Sequence, residues 1–132
     1  MHPMLLDAAD MALPTVDDDP RLFWLGSVGI RDDGTVVKSK NGAVKFSTSV
    51  EDYQLVPTSH AEGRVLRKLG YYGTLFVARV YRKDGSLAMS APCPMCSIRI
   101  KSFKVKKVYY TIDSNSYGIW NVVKDTHIIH SD

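Results

Sequence analysis

The feature that most constrains the fold is an apolar run, TLFVARVY, at residues 74–81. Successive side chains of a strand point to opposite faces of a sheet, so a strand that is apolar at nearly every position is buried on both faces. The run therefore predicts a central strand.

Helical signals stand on both sides of this run. Before it, residues 60–69 carry apolar side chains at helical spacing, and Gly70 is a typical C-terminal stop. After it, Cys96, Ile100 and Phe103 recur at helical spacing, which predicts a second helix starting near Cys93. We therefore expect both cysteines at a helix N-terminus.

The remaining segments predict hairpins and one more helix. LLDAADMAL indicates a first helix that ends near Pro14, and FWLGSVGI is joined to a second strand through an Asp-Asp-Gly turn. VKKVYYTI and IWNVV are separated only by DSNSYG, which leaves no room for a helix and predicts an antiparallel hairpin. We expect a single domain, residues 1–132, with a three-layer α/β/α fold and a mixed sheet of about five strands.

Composition narrows the classes of function. The 132-residue chain is 45% hydrophobic, which suffices for one core, and its formal net charge of +3 is too small to indicate nucleic-acid binding by itself. The first residues lack the basic and apolar regions of a secretion signal, and two cysteines cannot form a disulfide framework. These features predict a cytoplasmic protein that does not enter a membrane.

Two short motifs carry the chemistry. His60 and Glu62 form an H-x-E motif, and Pro92, Cys93 and Cys96 form the P-C-x-x-C motif about thirty residues later. One imidazole and two thiolates provide three zinc ligands and leave a fourth position for water, as in catalytic zinc sites. Glu62 lies beside the histidine and is suited to moving protons. Three other interpretations are a Ser59–Glu62 capping box, a redox C-x-x-C pair and a structural zinc site.

These motifs resemble those of the zinc-dependent cytidine and deoxycytidylate deaminase superfamily, and KKVYYTI…YG is similar to small bacteriophage members. In a phage-encoded protein the compartment would be the host cytoplasm. The resemblance implies Zn²⁺ bound by His60, Cys93 and Cys96, with Glu62 as the catalytic proton carrier. It also implies contacts of Asn41 and Ala61 with the substrate. We expect two further contacts, from Pro92 in the motif and from Tyr117, which could close over a base from the last hairpin. The Asn-Gly pair at Asn41 is equally typical of a simple turn.

Two sequence features that bear on the substrate resemble different branches of the family. A histidine as first ligand resembles the deoxycytidylate and polynucleotide branches, whereas an antiparallel last hairpin resembles the free-nucleoside branch. We expect hydrolytic deamination of a free cytosine nucleoside or nucleotide, since the chain offers no obvious groove for a nucleic acid. The alternatives are a cytosine or adenine deaminase acting on single-stranded DNA or RNA, and a zinc-binding protein without catalysis. The resemblance also implies a homo-oligomer.

Other conspicuous residues receive a structural interpretation. The basic run from Arg99 to Lys107 favours a solvated surface over a phosphate site. Trp120 is interpreted as a packing residue, with closure over a base as the alternative. His127 and His130 are interpreted as surface residues of a polar tail.

Overall fold

A computed structural model of the protein describes residues 1–13, 23–40, 61–92 and 94–132. Within them, three helices pack on one mixed sheet of seven strands. The helices are α1 (Pro3–Ala12), α2 (Ala61–Leu69) and α3 (Pro94–Ser102). The strands are β1 (Phe23–Ile30), β2 (Val36–Lys40), β3 (Thr74–Tyr81), β4 (Leu87–Ala88), β5 (Lys107–Asp113), β6 (Ser116–Asn121) and β7 (Thr126–Ser131).

The sheet has the strand order β2-β1-β3-β5-β6-β7, and β4 pairs with β3 beside this path. Only β3 and β5 are parallel, and α3 lies in the connection between them, as a parallel pair requires. All other neighbours are antiparallel. The predicted mixed sheet, opening hairpin and β5–β6 hairpin are therefore confirmed.

Strand β3 is central, as its composition predicts. Leu75 and Val77 point to the face covered by α2 and α3, whereas Phe76 and Ala78 point to the face covered by α1. All four side chains are at most 3% exposed. This division produces two cores, one on each face, and confirms the α/β/α layering.

Helix α1 sits directly on β1 because of one glycine. A Cβ atom at Gly26 would overlap the carbonyl oxygen of Ala8 and the amide nitrogen of Ala12. The missing side chain lets the helix backbone approach the strand backbone, and Leu5 and Ala8 then reach full burial.

The prediction of about five strands is wrong, since the sheet has seven. The two-residue strand β4 is too short to give a sequence signal. Strand β7 lies in the segment interpreted as a polar tail, and all six of its residues are exposed. An edge strand without a buried face has no alternation of apolar and polar residues, which is the pattern that predicts strands.

No helix in the described parts of the chain could cross a membrane, because the longest, α1, has ten residues where about twenty are needed.

Candidate active site

Helices α2 and α3 end at the same place, beside the start of β3. Gly70 terminates α2 with a positive φ of 71°, and the residues that follow lead directly into the strand. The backbone N–H of Tyr72 donates to the carbonyl oxygen of Phe103, just after α3, at 3.3 Å. Both helices have nine residues, contact each other and cover the same face of the sheet. Their first turns therefore both point away from this end of the sheet, toward the carboxyl ends of β3 and β5.

A buried network of hydroxyl groups holds the segment that leads into α3. The Ser90 Oγ donates to the carbonyl oxygen of Val77 at 2.8 Å and accepts from the backbone N–H of Thr111 at 2.8 Å. The Thr111 Oγ1 donates to the carbonyl oxygen of Ala88 at 2.7 Å. Ser90 and Thr111 are 2% and 0% exposed. The network fixes the backbone three residues before Cys93 between β3 and β5.

Ser90 and Thr111 were not predicted from the sequence. They are 21 positions apart, and a serine or threonine in an isolated segment does not show whether it will be buried. Ser90 stands two positions before Pro92 of the P-C-x-x-C motif, but its identity alone does not predict burial.

The first turn of α3 is built around proline and cysteine. Pro94 is the first helical residue, where its missing N–H costs nothing, and the carbonyl oxygen of Pro92 accepts from the Ser97 Oγ at 3.5 Å. Cys96 is the third residue of the helix and is 4% exposed. The unpaired N–H groups and the positive end of the helix dipole favour a thiolate there. A buried sulfur at this position suits a metal ligand.

The other predicted site residues are described only in part or not at all. Ala61 and Glu62 form the start of α2, but their side chains lie outside the described part of the structure. His60, Cys93 and Asn41 lie outside the described residues. Among the described residues, no three potential metal-binding side chains come together. The predicted ligands His60 and Cys93 are not among the described residues.

Tyr117 lies far from the first turns of α2 and α3. Its ring stacks on those of Tyr109 and His130, with centroid distances of 6.3 and 5.2 Å, and meets His2 edge-on at 6.2 Å. These contacts belong to the core under α1, on the opposite face of the sheet. The prediction that Tyr117 contacts substrate receives no support from this position, because the sheet separates its side chain from Cys96.

The histidines of β7 are not part of a tail. The Nδ1 of His127 lies 2.9 Å from the Tyr110 hydroxyl, and its ring is parallel to that of Trp120. The Trp120 Nε1 donates to Asp125 at 2.9 Å, so this buried indole is fixed as a packing residue.

Burial raises the pKa of the Tyr110 hydroxyl, so this phenol stays protonated at neutral pH. Burial and the adjacent N-terminal ammonium lower the pKa of His2, under α1.

Comparison with known families gives an independent result. Residues 4–112 match the cytidine and deoxycytidylate deaminase zinc-binding region. No curated protein matches the chain. The matched range contains α1, both motifs and the strands up to β5, whereas β6 and β7 follow it. Zinc is the cofactor of this region. Since the match covers most of the sequence, the chain belongs to the cytidine and deoxycytidylate deaminase family.

Proposed function

We propose that the protein catalyses hydrolytic deamination of a free cytosine nucleoside or nucleotide, releasing the uracil product and ammonia. The observation that carries the proposal is that α2 and α3 cover the same face of the sheet and end together, so that the first turns, which bear Glu62 and Cys96, point toward the same end of β3 and β5. The family assignment supports a zinc hydrolase of the cytidine deaminase type in general. The identity of the substrate is the part that needs an experiment.

The metal ligands in this proposal are His60, Cys93 and Cys96. The donor set fits zinc, since one imidazole and two thiolates are characteristic of sites that keep one position open. The burial of Cys96 in the first turn of α3 supports this assignment. When bound, zinc would lower the pKa of a water molecule toward neutrality. Hydroxide would then be available at neutral pH to attack C4 of the cytosine ring.

Glu62 is the proton carrier. Its carboxylate accepts a proton from the attacking water and delivers it to N3 of the ring; a second proton goes to the amino group on C4. The C4–N bond then breaks, ammonia leaves and a carbonyl group remains at C4. The position of Glu62 in the first turn of α2 supports this role, because α2 contacts α3, the helix that carries Cys96.

Three residues complete the proposed substrate pocket. The Ala61 amide and the Pro92 backbone border the first turns of α2 and α3, which suits contact with the base. Asn41 is assigned to the sugar or base from the loop after β2. Tyr117 is left out of the pocket because it packs under α1.

A second candidate is deamination of cytosine or adenine within single-stranded DNA or RNA. The observation that favours it is a row of lysines after α3, among them Lys104 and Lys106, beside an open groove. No such groove was expected from the sequence.

A substrate panel separates these candidates. Ammonia release is measured with cytidine, deoxycytidine, CMP, dCMP, adenosine and a single-stranded oligonucleotide containing one cytosine. We expect release from at least one cytosine monomer. Release from the oligonucleotide alone would favour the second candidate, and no release from zinc-loaded protein would favour a binding protein without catalysis.

Homo-oligomerisation is the remaining part of the proposal. Strand β7 is an edge of the sheet, and Ile128 and Ile129 are 60% and 65% exposed on it. Its sequence THIIHS contains none of the charged residues or prolines that commonly prevent edge pairing. A second copy of the chain offers an identical edge.

We place the protein in the cytoplasm, as its cysteine content predicts.

A further inference from the structure

A groove lies at the end of the molecule opposite the candidate active site. It encloses about 430 Å³ where α3 ends and where the β6–β7 turn approaches. Its walls are formed by three lysines, one tyrosine and two valines: Tyr72, Lys101, Lys104, Lys106, Val122 and Val123. The fully buried Val105 lines its base. We name these residues the lysine groove.

The lysine groove carries a net positive charge. Lys106 is paired with Asp32 at 3.0 Å, whereas the ammonium groups of Lys101 and Lys104 lie over the rings of Trp120 and Tyr72, at 5.8 and 6.0 Å. Lys101 is in the last turn of α3, where it also complements the helix dipole. Lys104 and Lys106 follow the helix, so the dipole does not account for them.

The charges extend across several strands. Lys101 reaches Trp120 on β6, and Lys106 reaches Asp32 in the turn after β1. These strands are three positions apart in the sheet, which corresponds to about 14 Å at about 4.8 Å per strand. Phosphates follow one another about every 3.4 Å along a duplex strand and are farther apart in an extended strand. The row is therefore long enough for more than one phosphate, and because Asp32 already neutralises Lys106, the contacts to phosphates fall on Lys101 and Lys104.

Two exposed aromatic rings lie at one side of the groove: Tyr72 lines it, and Tyr71 lies next to Tyr72 in a neighbouring depression that also contains Asp32 and Asp33. Tyr71 and Tyr72 are 60% and 49% exposed, and their centroids are 6.2 Å apart. Tyr72 has a positive φ of 67° and Lys104 one of 53°. A left-handed conformation is unusual for a tyrosine, and such strain is found preferentially at functional sites.

We propose that the lysine groove, together with Tyr71 and Tyr72, binds single-stranded nucleic acid. Lysines provide the contacts to the backbone, and the tyrosine rings provide stacking surfaces for bases. A duplex hides the faces of its bases, so it cannot use the rings. The surface is distinct from the candidate active site: Lys101, its first residue along α3, is five positions from Cys96, about 7.5 Å at about 1.5 Å per residue, and Lys104 and Lys106 lie beyond the end of the helix.

Fluorescence anisotropy with a labelled 15-residue oligothymidylate at low salt tests the proposal. The double variant Lys101→Ala/Lys104→Ala should bind about tenfold more weakly, and its slope of log affinity against log salt should fall by about 1.4, since each lost phosphate contact removes about 0.7. The matched control, Arg82→Ala/Lys83→Ala, removes the same charge from the turn at the other end of β3 and should stay within about twofold. Equal weakening by both pairs would mean general surface charge and would overturn the proposal.

Tyr72→Gly separates stacking from folding. Glycine tolerates the positive φ of this position, so the variant should melt at the same temperature or higher. It should nevertheless bind the oligonucleotide about tenfold more weakly, because one stacked ring is lost. Unchanged binding would overturn the stacking role.

Two competition experiments define the ligand. An unlabelled oligothymidylate should displace the probe, and a duplex of equal length should do so poorly. Displacement by dCMP at an equal concentration of nucleotide would mean that the groove is a pocket for a small anion, and displacement by the duplex would mean binding through charge alone. Either result would contradict the proposal.

Discussion

At the scale of single residues, Glu62 has two interpretations that one substitution separates. In a capping box with Ser59, glutamine would serve as well as glutamate, so Glu62→Gln would keep its activity. As a proton carrier Glu62 has no substitute, because an amide cannot accept the proton of the attacking water. We expect Glu62→Gln to reduce kcat by about 10²–10⁴-fold. Near-normal kcat would assign Glu62 to capping.

Metal content distinguishes loss of catalysis from loss of the site. Glu62→Gln should keep one zinc per chain, since Glu62 is not a proposed ligand. Cys96→Ala should lose zinc and also melt at a lower temperature, because metal binding stabilises the fold that forms the site. Elemental analysis of purified protein measures the zinc directly. Full zinc occupancy in Cys96→Ala would remove this cysteine from the ligand set.

At the scale of elements, the Ser90–Thr111 network determines where α3 begins. Ser90→Ala would leave the buried N–H of Thr111 without its Oγ acceptor. We expect the free energy of unfolding to fall by about 1–3 kcal/mol, the cost of an unsatisfied buried group. Zinc affinity should fall too, since the segment carrying Cys93 is then held to β5 only by the backbone N–H of residue 90, which donates to the carbonyl oxygen of Thr111 at 2.9 Å. Denaturant unfolding and competition with a zinc chelator measure both effects.

Ser102→Ala is the matched control for Ser90→Ala. Ser102 is exposed at the other end of α3, and its Oγ donates to the carbonyl oxygen of Ile98 at 3.3 Å. Its replacement should change stability by less than about 0.5 kcal/mol. If both variants unfold alike, the hydroxyl network does not hold α3.

Elements with a buried face were predictable from sequence, and positions that depend on pairing were not. Helical spacing of apolar residues predicted α2 and α3, the continuous apolar run predicted β3, and the family supported zinc. The face of the sheet on which a side chain lies depends on its position along the strand. Tyr117 and Trp120 are three positions apart on β6, so they point to opposite faces. This parity could have shown that only one of them faces the helices α2 and α3. The exposed strand β7 and the Ser90–Thr111 network carry no local signal.

At the scale of the whole molecule, β7 leaves one edge of the sheet without a covering element among the described residues. The proposed homo-oligomer uses this edge, and a lysine on it would oppose pairing, as it does on natural edge strands. Ile128→Lys should therefore shift the protein from oligomer to monomer without lowering its melting temperature, because Ile128 is already 60% exposed. Analytical ultracentrifugation over a range of concentrations measures the mass.

The opposite edge of the sheet supplies the control for this prediction. Val36 lies on β2, the other edge strand, and is 47% exposed. Val36→Lys adds the same charge to an edge that the proposal does not use, so it should leave the mass unchanged. A monomeric mass for Val36→Lys with an oligomeric mass for Ile128→Lys would move the interface to β2. A monomeric unsubstituted protein at every concentration would reject self-association through either edge, and the active site would then be complete within one chain.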